Sequence, residues 1–115
     1  MSIEEQKTRV IQEYVPGKQL TLAHVIANPD PILHTKLGIE EASAIGIMTL
    51  TPTETAIIAA DIATKAAHVG IGYLDRFTGS LVITGEVAAV EMAIAAVNIF
   101  LQEKLKFATA SLTRS

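Results

Sequence analysis

Three observations predict an α+β fold. Residues 18–27, 44–50, 69–74 and 81–84 alternate or run apolar in the manner of strands. Two longer stretches, one after residue 51 and one after residue 85, repeat apolar residues at helical spacing. From residue 44 onward the order is strand, helix, strand, strand, helix. With the strand at 18–27 added, that order makes a four-stranded, mostly antiparallel, ferredoxin-like sheet with both long helices on one face.

The elements follow in chain order. Residues 1–8 are polar, and residues 9–15 (Arg-Val-Ile-Gln-Glu-Tyr-Val) are β-prone up to Pro16-Gly17, the pair a type II turn requires. In residues 18–27, Leu20, Leu22 and Ile26 share one face and Gln19 and Thr21 the other, so the spacing predicts the first three to point inward. His24 sits in that pattern and reads as a hydrogen-bonded, partly buried side chain. Asp30 followed by Pro31 is an N-cap and first helical residue for two turns carrying Leu33 and Leu37, and Gly38 ends them. Residues 44–50 are nearly all apolar, as a central strand would be. Thr51-Pro52-Thr53-Glu54 has the form of a capping box with Pro at the first helical position. The helix it opens runs to about Ala67, with Ile58 and Ile62 inward and Asp61 four residues before Lys65. Residues 69–74 and 81–84 then flank a polar turn at 75–80, a hairpin. In the last helix Val87, Val90, Ile94, Val97, Leu101 and Leu105 form one stripe. Residues 107–115 are too polar and β-branched for helix and read as an extended tail or a strand.

Composition narrows the function. The chain has 115 residues, enough for one domain with a real core. Half of them are hydrophobic and 4% aromatic, so the core is built from Ala, Ile, Val and Leu. The mean hydropathy of +0.40 is high, yet no run reaches the ~18–20 apolar residues of a membrane span. Burial against further copies is the expectation. A net charge of −3 argues against nucleic acid as a partner. With no cysteine, a disulfide framework and a Cys-based nucleophile or metal site are excluded. Met1-Ser-Ile-Glu-Glu is acidic where a signal peptide is basic and then apolar, which points to the cytosol.

No catalytic constellation emerges from the residues. His24, His34 and His68 lie in three different elements without metal-ligand spacing, so neither metal nor cofactor is predicted. Glu40 and Glu41 are read as solvated loop carboxylates. Asp75-Arg76 resembles an acid with its clamp, but adjacent turn residues point apart and no base or nucleophile accompanies them. Gly70, Gly72, Gly79 and Gly85 do not have phosphate-loop spacing.

Longer motifs carry more information. Ala44-Ile-Gly-Ile-Met, Ala59-Ala-Asp-Ile-Ala-Thr-Lys-Ala-Ala-His-Val69, Gly79-Ser-Leu-Val and Gly85-Glu-Val-Ala-Ala-Val90 resemble the successive signatures of bacterial microcompartment (BMC) shell proteins. In ordinary members, a strand like Thr21-Leu-Ala-His-Val-Ile26 and its short helix come last; here they come first. That order, preceded by Ile11-Gln-Glu-Tyr-Val-Pro-Gly-Lys-Gln19, is similar to the circularly permuted subclass of ethanolamine-, propanediol- and choline-utilisation compartments.

The resemblance implies a non-enzymatic homohexamer that tiles, with other shell proteins, around encapsulated enzymes in the bacterial cytoplasm. It divides the chain into an arm, 1–17, and a permuted BMC domain, 18–115. It places Arg76, Phe77, Thr78, Gly79 and Ser80 around the six-fold pore and Lys65 at the hexamer edge. It gives Val10, Ile11, Gln12, Glu13, Tyr14 and Val15 to a six-stranded barrel capping that pore; six arms closing a ring leave no free strand edge. Where the ordinary family carries Ile-Pro-Arg-Pro, this chain has Ile26-Ala-Asn-Pro29 at the edge. Asn28 offers no guanidinium there, which points to a minor shell component. The alternative is a ferredoxin-like oligomeric module that binds a small molecule in signalling, for which Arg76 alone would be a poor phosphate-binding loop.

Overall fold

The strand that precedes the first helix lies inside the sheet, hydrogen-bonded on both sides. The computed structural model describes residues 18–115. These form β1 (Gln19–Ala27), α1 (Pro31–Leu37), β2 (Ala44–Thr51), α2 (Thr55–Ala66), β3 (Gly70–Asp75), β4 (Ser80–Gly85), α3 (Val87–Lys104) and β5 (Thr113–Arg114). The spatial order is β3-β4-β2-β1-β5. The first four strands pair antiparallel, and β5 pairs parallel with β1. The β-prone segment at 9–15 lies outside the described residues.

One face of the sheet carries the core. Leu20, Ala23, Val25, Met48, Leu50, Leu81 and Ile83 pack with Ala56, Ala59, Ala60 and Ala63 of α2 and with Val90, Ile94, Val97 and Leu101 of α3. Alanine on α2 lets that helix lie close to the strands. Gly46 serves the same end beneath α3: a Cβ there would stand 2.7 Å from Val90 Cγ1 and 2.9 Å from Ile83 Cγ1. The α3 stripe is as expected, with Val87 and Leu105 packed at its two ends. The ends of α1 are also as expected: Ile32 N–H donates to Asp30 Oδ1 at 3.1 Å, and Gly38 closes the helix at φ +71°. Beyond it, the loop to β2 is pinned by the buried His34, whose Nε2 accepts from Ala42 N–H at 3.0 Å.

Four expectations need correction. Leu22 and Ile26 do not point into the core: Leu22 is 41% exposed, and Ala23 and Val25 are buried instead. The β1–β2 register shifts between Leu20 and Leu22, and one extra residue in a strand reverses the facing of all that follows. Thr51 does not open a helix but continues β2 opposite Gln19. Consequently α2 starts at Thr55 without a side-chain cap. Its first N–H groups, on Thr55, Ala56 and Ile57, donate to the carbonyls of Pro52, Thr53 and Glu54. That later start fixes the facing of α2, with its alanines on the sheet and Ile58 43% exposed, while Ile62 packs at the edge of the core.

The tail supplies the fourth correction, since β5 makes the sheet five-stranded. Phe107 is buried, and Leu20 N–H donates to Ala108 O at 2.9 Å. Further along, Ser115 N–H donates to Val25 O, and Ala27 N–H donates to Ser115 O. Backbone groups of β1 that would otherwise face solvent are paired in this way. His24 ties the two strands together. Thr113 Oγ1 donates to Ala23 O and accepts from His24 Nδ1 at 2.5 Å, while Ser115 Oγ donates to Nε2 at 2.7 Å. The histidine is hydrogen-bonded and partly buried, as expected, but it lies on the sheet face away from the helices because of the register shift.

Because Gly46 has no room for a side chain, Gly46→Val overpacks the contact between β2 and α3. The expected cost is about 1–3 kcal/mol, read as a lower urea midpoint at fixed protein concentration. An unchanged midpoint would show that α3 can shift to accommodate it.

Candidate functional site

The two ends of the sheet separate the residues that the sequence singled out. At one end Gln19 pairs with Thr51, and Leu50 N–H donates to Gly79 O at 2.8 Å. The β3–β4 turn and the junction with residues 1–17 therefore share that end. At the other end Ala27 pairs with Ala44 and Ala44 with Gly85. There Asn28, exposed and at φ +51°, donates its N–H to Ser43 O at 2.7 Å. Lys65 stands in the last turn of α2, five residues before β3 begins at this end. It is 75% exposed and pairs with Asp61 at 3.0 Å, the i,i+4 contact the sequence suggested. β2 has eight residues, so at about 3.3 Å per residue the two ends lie roughly 23 Å apart.

The turn is organised by Asp75. Its Oδ1 accepts from Phe77 N–H at 2.8 Å and from Thr78 N–H at 3.4 Å. Its Oδ2 accepts from Tyr73 Oη–H at 3.1 Å, and its carbonyl accepts from Gly79 N–H at 2.8 Å. The first of these, the Phe77 N–H bond, does most to hold the Asp75 carboxyl below its ordinary value, because a charged acceptor is the better partner for a backbone donor. The same carboxylate raises Tyr73, chiefly through its hydrogen bond and then through its charge. The Arg76 guanidinium lies 4.8 Å from the centroid of the Phe77 ring. Among the described residues, no ion pair joins the adjacent acid and base.

The five turn residues divide by exposure. Arg76, Phe77 and Thr78 are exposed, with Phe77 at 77%. Gly79 is buried against β2 at φ +78°, and a Cβ on it would overlap Leu50 O. Ser80 is the first residue of β4 and accepts from Thr78 Oγ1 at 3.2 Å. Ile57, Leu74, Asp75, Arg76 and Phe77 line a shallow groove of about 370 Å³ beside the turn. Sequence reasoning missed Asp75 as the organiser of the turn. The available signal was an Asp at the head of a turn, where its side chain bonds the backbone two residues on.

Among the described residues, no three metal-ligating side chains converge, and no helix is long and apolar enough to cross a membrane. The turn holds a charged acceptor, a stacked cation and an aromatic ring. What it can do is present a shaped, polar tip.

Comparisons with known proteins define the family. The BMC domain model matches residues 44–112. The match begins at β2, although β1 lies between β2 and β5 in the sheet, as a permuted connection requires. The microcompartment shell protein PduU of Salmonella typhimurium is 59% identical, covering 98% of this chain and all of that protein. EutS of Escherichia coli, also a microcompartment shell protein, is 56% identical over 95% of this chain and 98% of its own. A solved structure described as a CutR flat hexamer superposes with a TM-score of 0.84 at 49% identity, covering 98% of both chains. The chain belongs to the BMC-domain family, among the circularly permuted shell proteins of the PduU, EutS and CutR type.

The depressed Asp75 carboxyl sets the sign of a pH test. A group whose folded value lies below its unfolded one contributes fully above the unfolded value and loses that contribution as pH falls through the folded one. Protection of the Phe77 and Thr78 amides is therefore expected to hold down to the ordinary carboxylate range and to fall only below it. In Asp75→Ala the same amides should exchange rapidly even at neutral pH. Equal exchange in the two proteins, followed by NMR, would remove Asp75 from its place as organiser.

Proposed function

We propose that six copies of this chain form a flat cyclic tile of a bacterial microcompartment shell, with the β3–β4 turn at the axis and Lys65 and Asn28 at the outer edge. The observation that carries this reading is the polarity of the sheet: the turn and the arm junction share one end, and Lys65 and Asn28 lie at the other. In the tile, Arg76, Phe77, Thr78, Gly79 and Ser80 form the pore rim, with Gly79 set back against β2. Residues 1–17 make a separate arm, and residues 10–15 of six arms close a barrel over the axis. Residues 18–115 make the permuted BMC domain. The flat hexamer described for CutR, alike over nearly its whole length, supports the six-fold arrangement.

The role is structural, in a shell within the bacterial cytoplasm. Ile57, Ile58, Ile71 and Leu74 are exposed apolar side chains on the helical layer and the β3 edge. Surface of this kind is what contact with further copies buries. Other shell proteins adjoin the tile at its edges, and encapsulated enzymes face it from within. Asn28 leaves the edge without a guanidinium, so the chain tiles more weakly than an arginine-bearing member would and serves as a minor component of the facet.

Electron microscopy of the full chain tests this reading. Hexamers with density over the axis are expected, and a monomer at micromolar concentration would overturn it. Lys65→Ala should leave hexamers intact and reduce their assembly into sheets. The exposed Asp61 pair it removes is worth only a few tenths of a kcal/mol to the protomer. Dissociation of the hexamer itself would move Lys65 away from the edge. Deleting residues 1–15 should leave a hexamer with an open axis, whereas a truncated protein that fails to fold would assign the arm to the core.

A further inference from the structure

We propose that His34 latches the α1–β2 loop only while its ring is neutral, so that proton uptake frees the loop at the Asn28 end of the sheet. The latch lies within one protomer and goes beyond the tile reading, because it holds whichever end of the sheet faces an axis. His34 is 5% exposed. Its Nε2 stands 3.0 Å from Ala42 N and 3.2 Å from Ala42 O. The backbone fixes the direction of the Ala42 N–H, which meets Nε2, so this nitrogen is the acceptor. Nδ1 is buried and has no partner among the described residues. A neutral imidazole has one donor nitrogen and one acceptor, so Nδ1 carries the proton.

Protonation removes the acceptor. In the imidazolium both nitrogens are donors, and Nε2–H then confronts the Ala42 N–H. A bond from Nε2 to Ala42 O in its place leaves the Ala42 N–H without a partner all the same. Nδ1–H is already unpaired, and a buried charge without partners costs far more than a buried neutral group. Separation of ring and loop lets both nitrogens reach water. The loop is lightly held elsewhere: Ile39 N–H donates to His34 O at its start, and Asn28 N–H donates to Ser43 O at its end. The bond to Nε2 lies between them. Charged and titratable groups stand around the latch on each side. Asp30 and Lys36 belong to the two ends of α1. Glu41 lines the hollow that His34 shares with Asn28 and Ser43, and Glu40, His68 and Glu86 line the neighbouring one. All of these are exposed, and none is bonded to either ring nitrogen. The contact with Ala42 is therefore what the proton has to break.

The test follows amide hydrogen exchange of the full-length protein by NMR between about pH 8 and pH 5, the span over which histidine changes charge. Each rate is divided by that of an unstructured peptide at the same pH, which removes the intrinsic pH dependence of exchange. Protection of the Ala42 amide is expected to fall about tenfold across the range, the worth of one hydrogen bond, while amides inside β2 keep theirs. His34→Gln retains an acceptor that does not titrate, and its Ala42 amide should be equally protected at both ends of the range. The unaltered protein supplies a second reading that needs no variant: near the upper end, the ring ¹⁵N shifts should show a bare Nε2 and a protonated Nδ1. A proton on Nε2 there overturns the proposal. So does an Ala42 amide whose protection is the same throughout, or one lost together with the amides of β2, which is global unfolding. An equal fall in His34→Gln assigns the response to another group and overturns it as well.

Discussion

Pairing of β1 with β2 along the whole of both strands, from Gln19 opposite Thr51 to Ala27 opposite Ala44, governs where every other part of the molecule can be. Without β1, the segment that matches the BMC domain model would leave β2 on an open edge and β5 with nothing to join. With β1 in place, the chain enters the sheet beside the β3–β4 turn and leaves it beside Asn28. The permuted order is a change in connection, and the interior of the sheet stays paired because β1 supplies backbone partners to both β2 and β5.

The bulge after Leu20 follows from that pairing and has effects on both faces. It turns Ala23 and Val25 toward the helices and sends Leu22 and His24 to the opposite side. His24 is thereby placed to take Thr113 and Ser115 on its two ring nitrogens, and the tail gains a side-chain anchor in addition to its backbone bonds. Arg114 adds an ion pair to Glu91 at 2.9 Å, which joins the tail to α3. A strand of only two residues is held by these neighbours more than by its own ladder.

Much of this was legible in the residues, and the failures share a cause. Asp30, Pro31 and Gly38 mark α1 correctly because caps are local: the signal and the bond it makes lie within a few residues. The α3 stripe was legible because a long helix repeats its message over five turns. Thr51-Pro52-Thr53-Glu54 misled because the ladder to Gln19 claims Thr51 for the strand, a contact across 32 positions that local pattern does not encode. Leu22 and Ile26 were misplaced because strict alternation cannot register a bulge. The turn itself was evident from its composition, but the Asp75-Arg76 pair drew attention as acid and clamp, while the carboxylate bonds backbone donors. The assignments to axis and edge rest on resemblance alone, since symmetry is a property of several copies.

The β3–β4 turn is fixed in two ways. Gly79 is fixed against Leu50 by a backbone bond and by a space that admits no Cβ. Asp75 is charged throughout the neutral range and binds three donors there. Proton concentration near neutrality thus has no handle on the turn, and its shape is set once the sheet has formed. In the proposed tile a rim of this kind fixes the width and polarity of the axial opening, with Arg76 and Phe77 as the groups a solute meets. In that tile, control over passage has to act outside the turn.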